Sequence, residues 1–213
     1  PKSPARQIPA DLPKLATEPS PRAPEGKSQE AGKPVDSKNP RPTVAAAKNV
    51  PTFERPTRAV NEQAIEAAGL HRLSGKHLVL YTDLPIDDEI KTLPQVFDLA
   101  FSQWCEYFHL DPAKFANWQM RGTLIGDRTK FADTDLIPDG LPEFRNGFER
   151  EGELWLYEQP SVYYRRHLLL HEGTHGVMET LLGSAGPPWY MEGVAELLAT
   201  HTWQNGELKL NVM

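Results

Sequence analysis

From Ile90 to Phe108 apolar side chains return every three or four residues, at Leu93, Val96, Phe97, Ala100, Phe101, Trp104 and Phe108, until Asp111-Pro112 stops the run. That period predicts an amphipathic helix, with Pro94 in its first turn or kinking it. Shorter apolar runs predict strands at Leu78–Tyr81, closed by the turn signal Thr82-Asp83-Leu84-Pro85, and at Met120–Ile125. Glu153–Glu158 alternates only loosely, but its Leu and aromatic content favours a third strand. A short helix is predicted over Asn61–Leu70. Helix resumes after Pro160, runs to Leu182 and breaks at Gly183-Ser184-Ala185-Gly186-Pro187-Pro188; another helix spans Trp189 to Thr200, and Gly206 opens a last short strand or tail. Strands followed by two helices joined through a Gly/Pro loop make an α+β chain.

Composition divides the chain. Residues 1–58 hold 12 of the 20 prolines and a single aromatic, Phe53. Such a segment offers too little apolar surface to offset the entropy of ordering it, so it is expected to be a disordered Pro-rich linker or stalk. Residues 59–213 carry the other 18 Trp, Phe and Tyr residues and are expected to form one domain. The first part has 11 Lys/Arg against 6 Asp/Glu and the second 12 against 23, so the domain bears a net charge of −11 and should repel nucleic acid. No apolar run approaches the length of a membrane span. Pro1 in place of Met suggests a piece of a longer or processed product, and a stalk ahead of the domain suggests a secreted or envelope-anchored location. The lone Cys105, on the apolar face of the long helix, is expected to be a buried, inert thiol. Between 126 and 152 Asp133, Asp135 and Asp139-Gly140 faintly suggest a calcium loop, but Ile137 stands where such a loop needs an oxygen ligand.

The chemistry concentrates at His171-Glu172-Gly173-Thr174-His175. On a helix the two imidazoles lie about 40° apart around the axis and one turn apart along it, so both reach one metal ion. Glu172, about 60° from His175, can meet a water on that metal without ligating the metal itself. A chain with 7 His produces this pattern by chance on the order of 0.02 times. The motif is also embedded between Leu168-Leu169-Leu170 and Val177-Met178, so its helix is buried, and buried imidazoles need partners. Beyond the Gly/Pro loop stands Glu192, on a helix free to fold back. Two His and one Glu with an open fourth position is the ligand pattern of catalytic zinc.

These residues resemble the gluzincin class of zinc metallopeptidases, whose pattern is HExxH followed on a second helix by a Glu ligand. The segment Trp189-Tyr190-Met191-Glu192-Gly193-Val194-Ala195 is similar to the corresponding block of the aminopeptidase branch, and the overall likeness is to the peptidase-MA-like superfamily. The resemblance implies a zincin-like, thermolysin-like catalytic domain: a small mixed sheet, an HExxH active-site helix and a second ligand helix. It implies one zinc ion held by His171, His175 and Glu192, Glu172 as general base, and Glu196, one turn after Glu192, as the carboxylate that accepts the other ring N–H of a ligand histidine. The Gly-x-Met-Glu-Asn block with which aminopeptidases grip a free amine is missing, and Glu153–Glu158 is instead expected to be an edge strand for an extended peptide. For the oxyanion only Tyr190 and His201 stand nearby, so either the domain is truncated at its C-terminus or the catalytic set is incomplete.

The expected function is therefore that of a zinc-dependent peptidase cleaving peptide or protein substrates by a zinc-activated water. The alternative is a zinc-retaining but non-catalytic binding module on the same fold. A purely structural zinc site is disfavoured, because such sites usually fill all four positions with protein ligands.

Overall fold

The three central strands of the sheet are covered on both faces, which is why their alternation is faint in the sequence. In the computed structural model, which describes residues 56, 58–183 and 186–211, Leu78, Leu80, Met120, Leu124, Leu154 and Leu156 meet one core, and Tyr81, Ile125 and Trp155 meet a second on the opposite side. The Pro-rich linker expected over residues 1–58 lies outside the described residues except for Pro56 and Arg58. Arg58 is tied to the fold: its guanidinium reaches Glu153 at 2.5 Å and its carbonyl accepts from Arg121 at 2.7 Å.

The elements run α1 (Glu62–Ala67), β1 (His71–Ser74), β2 (Leu78–Thr82), α2 (Asp88–Tyr107), β3 (Met120–Ile125), β4 (Gly147–Arg150), β5 (Glu153–Tyr157), α3 (Val162–Thr180), α4 (Pro188–Ala199), β6 (His201–Gln204) and β7 (Glu207–Leu210). This is a mixed α+β fold. Five strands form one sheet in the order β1-β2-β3-β5-β4, with β2, β3 and β5 parallel and antiparallel strands at both edges. β6 and β7 form a separate hairpin. Among the described residues no helix is long and apolar enough to cross a membrane.

Two elements of the sheet were not anticipated. Neither β1, with one half-buried Leu, nor β4, with Phe148 as its sole apolar residue, is long enough to show a period. β4 changes the reading of its neighbour: Glu153–Tyr157 is not an edge strand, because β3 pairs with it on one side and β4 on the other. The free edge next to α3 belongs to β4. Pro94 also differs from expectation, falling in the second turn of α2, buried against the sheet side. That helix starts two residues earlier than its apolar period, because Asp87 accepts the Ile90 N–H at 2.7 Å and Asp88 and Glu89 favour the N-terminal dipole.

α2 and α3 cover one face of the sheet around Phe97, Phe101, Trp104 and Trp118, all fully or nearly fully buried. Cys105 is buried here too, and desolvation pushes its thiol up to about 11, in keeping with an inert side chain. Gly173 lets α3 approach α2: a Cβ there would come within 2.6 Å of Phe97 and 2.7 Å of Trp104. The motif helix is thus pressed down by its glycine, which leaves its opposite face turned toward α4.

Candidate metal centre

α3 begins at Ser161, whose side chain accepts the Tyr164 N–H at 3.3 Å. Its first turns are fixed by two buried arginines, Arg165 paired with Glu158 and Arg166 paired with Glu89 at the start of α2. Rigidly seated this way, α3 presents His171 and His175 on one face. α4 packs antiparallel to it, so residues of rising number on α4 meet residues of falling number on α3.

The structure brings together every side chain that the motif singles out. His171 Nε2 lies 3.2 Å from His175 Nε2 and 3.3 Å from Glu192 Oε2, and His175 Nε2 lies 3.6 Å from Glu192 Oε1. A tetrahedral zinc ion with bonds of 2.0–2.1 Å keeps its ligand atoms about 3.3 Å apart, and the three separations lie near that length, with Glu192 meeting the two imidazoles through different oxygens. The donor set, two neutral-capable imidazoles and a carboxylate, suits zinc. Burial, and then the neighbouring His171, hold the His175 imidazole below its usual pKa, which favours the neutral ring a metal requires.

Glu196 faces the other nitrogen of His171, with Oε2 at 3.5 Å from Nδ1, and also lies 3.3 Å from His167 Nε2. A carboxylate thus stands beside the His171 ring, while its hydrogen bond goes to His167. His175 has no such support, since its buried Nδ1 finds no partner among the described residues.

Glu172 is buried beneath the ligands and stays out of their triangle. Desolvation first, and then Glu192, raise its carboxyl to about 8. β4 passes directly over it: a Cβ on Gly147 would sit 2.5 Å from Glu172 Oε1, so only glycine allows the edge strand this close. The Gly147–Glu172 approach divides an open groove into two lobes. One, about 520 Å³, is lined by Glu149, Glu179 and Met191 with the ligand set; the other, about 410 Å³, by Arg145, Gln159, Tyr164 and His167 with Glu196.

Sequence reasoning missed Glu149 and Glu179. Glu149 is nearly buried on the side of β4 that faces α3, hydrogen-bonded to Glu179, and desolvation and that neighbour push its carboxyl to about 9. Gly152 N–H donates to Glu149 at 2.9 Å and Glu151 N–H to Glu179 at 2.9 Å. Glu179 follows His175 by four residues, a spacing the sequence does display. The two oxyanion candidates, by contrast, do not line the groove. His201 is buried, stacked on Tyr163 at 4.6 Å with its Nδ1 2.8 Å from the Ala199 carbonyl, and Tyr190 rests beside Gly186.

The aspartates of the 126–152 segment form no metal-competent group among the described residues, where such groups occur only on α3 and α4. Comparison with protein-family models, with curated proteins and with solved structures yields no match for this chain.

Proposed function

We propose that this chain is a zinc-dependent peptidase on a zincin-like fold, with His171, His175 and Glu192 as ligands and Glu172 as general base. The observation that carries the reading is the set of three ligand-atom separations, 3.2, 3.3 and 3.6 Å, contributed by two helices and meeting over a buried carboxyl. Zinc bound there supplies a Lewis acid that polarises a carbonyl and acidifies water.

The rest of the chemistry falls to the protein. Glu172 takes a proton from the attacking water and passes it to the leaving amine nitrogen, so that peptide and water become acid and amine. Its raised pKa places that exchange near neutrality, and positive charge at the ligands draws the carboxyl back toward the ionised form a base requires. The free edge of β4 offers unpaired backbone groups beside Glu172, to which an extended peptide adds as a further strand. Glu192 is exposed and lines the groove, so an ion held there would be open to water and substrate.

Glu172→Gln is expected to retain stoichiometric zinc and lose hydrolysis of an unfolded protein substrate, whereas Glu192→Gln loses the zinc as well. Zinc lost with Glu172→Gln but kept with Glu192→Gln overturns the assignment. One observation favours the non-catalytic binding module: neither Tyr190 nor His201 lines the groove. Under that reading the wild-type protein with stoichiometric zinc leaves unfolded substrates intact.

A further inference from the structure

On the facing surfaces of α3 and α4 the side chains form a ladder. His167, His171 and His175 follow one another at intervals of four residues, and Glu192 and Glu196 do the same on the antiparallel helix. Glu192 bridges His175 and His171; Glu196 bridges His171 and His167. The ladder thus has two rungs that share His171, one through Nε2 and one through Nδ1.

The upper rung repeats the geometry of the first. Glu196 Oε2 lies 3.3 Å from His167 Nε2 and 3.5 Å from His171 Nδ1, and all three ligand atoms lie within 4.8 Å of one another. Both distances match the roughly 3.3 Å coordination edge of a tetrahedral zinc ion. Four residues of helix advance about 6 Å. Two ions on opposite nitrogens of one imidazole, with bonds of 2.0–2.1 Å, also stand about 6 Å apart. The helical repeat and the width of a bridging imidazole therefore coincide. The second lobe, about 410 Å³ and lined by these same three residues, leaves room for water to complete the coordination.

We infer that His167, His171 Nδ1 and Glu196 form a second divalent-cation site, bridged to the first through the His171 ring. Occupying it releases the His171 Nδ1 proton to solvent and turns Glu196 from its contacts with the two rings to the cation. Arg145, which lines the same lobe, opposes a cation there. The second rung is therefore the weaker one, filled only at excess metal. The inference extends the proposed zinc centre, since the bridged form needs an ion on the first rung.

The test is equilibrium dialysis of the chelator-treated full chain against graded zinc chloride, read by metal analysis. Wild type is expected to saturate at two ions per chain, and His167→Ala and His167→Gln at one. In the copper(II)-loaded wild type, coupling through the shared imidazolate should lower the integrated EPR intensity per copper, and His167→Gln should restore it. Saturation of wild type at one ion that His175→Ala abolishes and His167→Ala retains overturns the second site and leaves the first standing. One ion abolished by His167→Ala but retained by His175→Ala overturns both the bridge and the zinc assignment of the proposed peptidase. Two ions retained in both His167 variants, or full EPR intensity per copper in wild type, overturns the second site as assigned.

Discussion

Glu149→Gln isolates the electrostatic cost of placing a carboxyl between β4 and α3. In the fold this group is pushed to about 9, first by burial and then by Glu179, whereas in the unfolded chain it ionises near its ordinary 4.5. Below pH 4.5 both states hold the proton and the group costs nothing. As pH rises toward 9 the unfolded chain releases its proton and the folded chain keeps it, so stability is lost through that window and is flat above it. Each unit of separation is worth about 1.4 kcal/mol, which gives roughly 3 kcal/mol by pH 7 and at most about 6 kcal/mol by pH 9. Gln keeps the shape and a hydrogen-bond donor for Glu179 but has no proton to release. Urea unfolding of metal-free wild type and Glu149→Gln between pH 5 and 9 should give a steeper fall for the wild type, the gap widening with pH. Glu172 titrates in both proteins, and because its charge also raises the Glu149 carboxyl the gap between the curves includes that coupling. Parallel stability curves would refute the argument that Glu149 is held protonated by its burial.

Gly147→Ala places a methyl 2.5 Å from Glu172 Oε1 and is expected to retain zinc while losing most hydrolytic activity, read by metal analysis alongside peptide cleavage. Gly173→Ala drives a methyl against the buried rings of Phe97 and Trp104, and overpacking of about 1–3 kcal/mol should exceed the roughly 1 kcal/mol of helix propensity gained; a higher melting temperature would contradict that close approach. Thr180→Val removes the acceptor of the buried Trp118 indole N–H, which lies 2.9 Å from Thr180 Oγ1, and should cost about 1–3 kcal/mol in denaturant unfolding.

What the sequence discloses depends on how much of the structure is periodic. α2 is twenty residues long and amphipathic, so its apolar face is evident, and β3 coincides with its apolar run. β4 has four residues and one apolar side chain, Phe148, and nothing local distinguishes it from loop. Its absence from the expected sheet is what promoted β5 to an edge. His171, His175 and Glu172 are legible as a candidate site because their spacing is that of the proposed chemistry. Glu149 is illegible, since its proximity to Glu179 arises only when a short strand crosses a helix nearly thirty residues further on. His167 and Glu179 occupy an intermediate case: their intervals of four mark one face of α3, but only the antiparallel docking of α4 decides which carboxylate meets which ring.

The loop between α3 and α4 separates two proposed ligands seated on a buried helix from a third on a helix whose first turn, Pro188 to Tyr190, is exposed to solvent. An ion gripping all three, as proposed, would act as a clasp, and the free energy of binding it would also be the free energy of holding α4 against α3. Mass action on the metal therefore becomes mechanical tightness of one helix. On chelation the backbone amides of α4 should lose hydrogen-exchange protection well before those of α2, whose Phe97, Phe101 and Trp104 owe nothing to the ion.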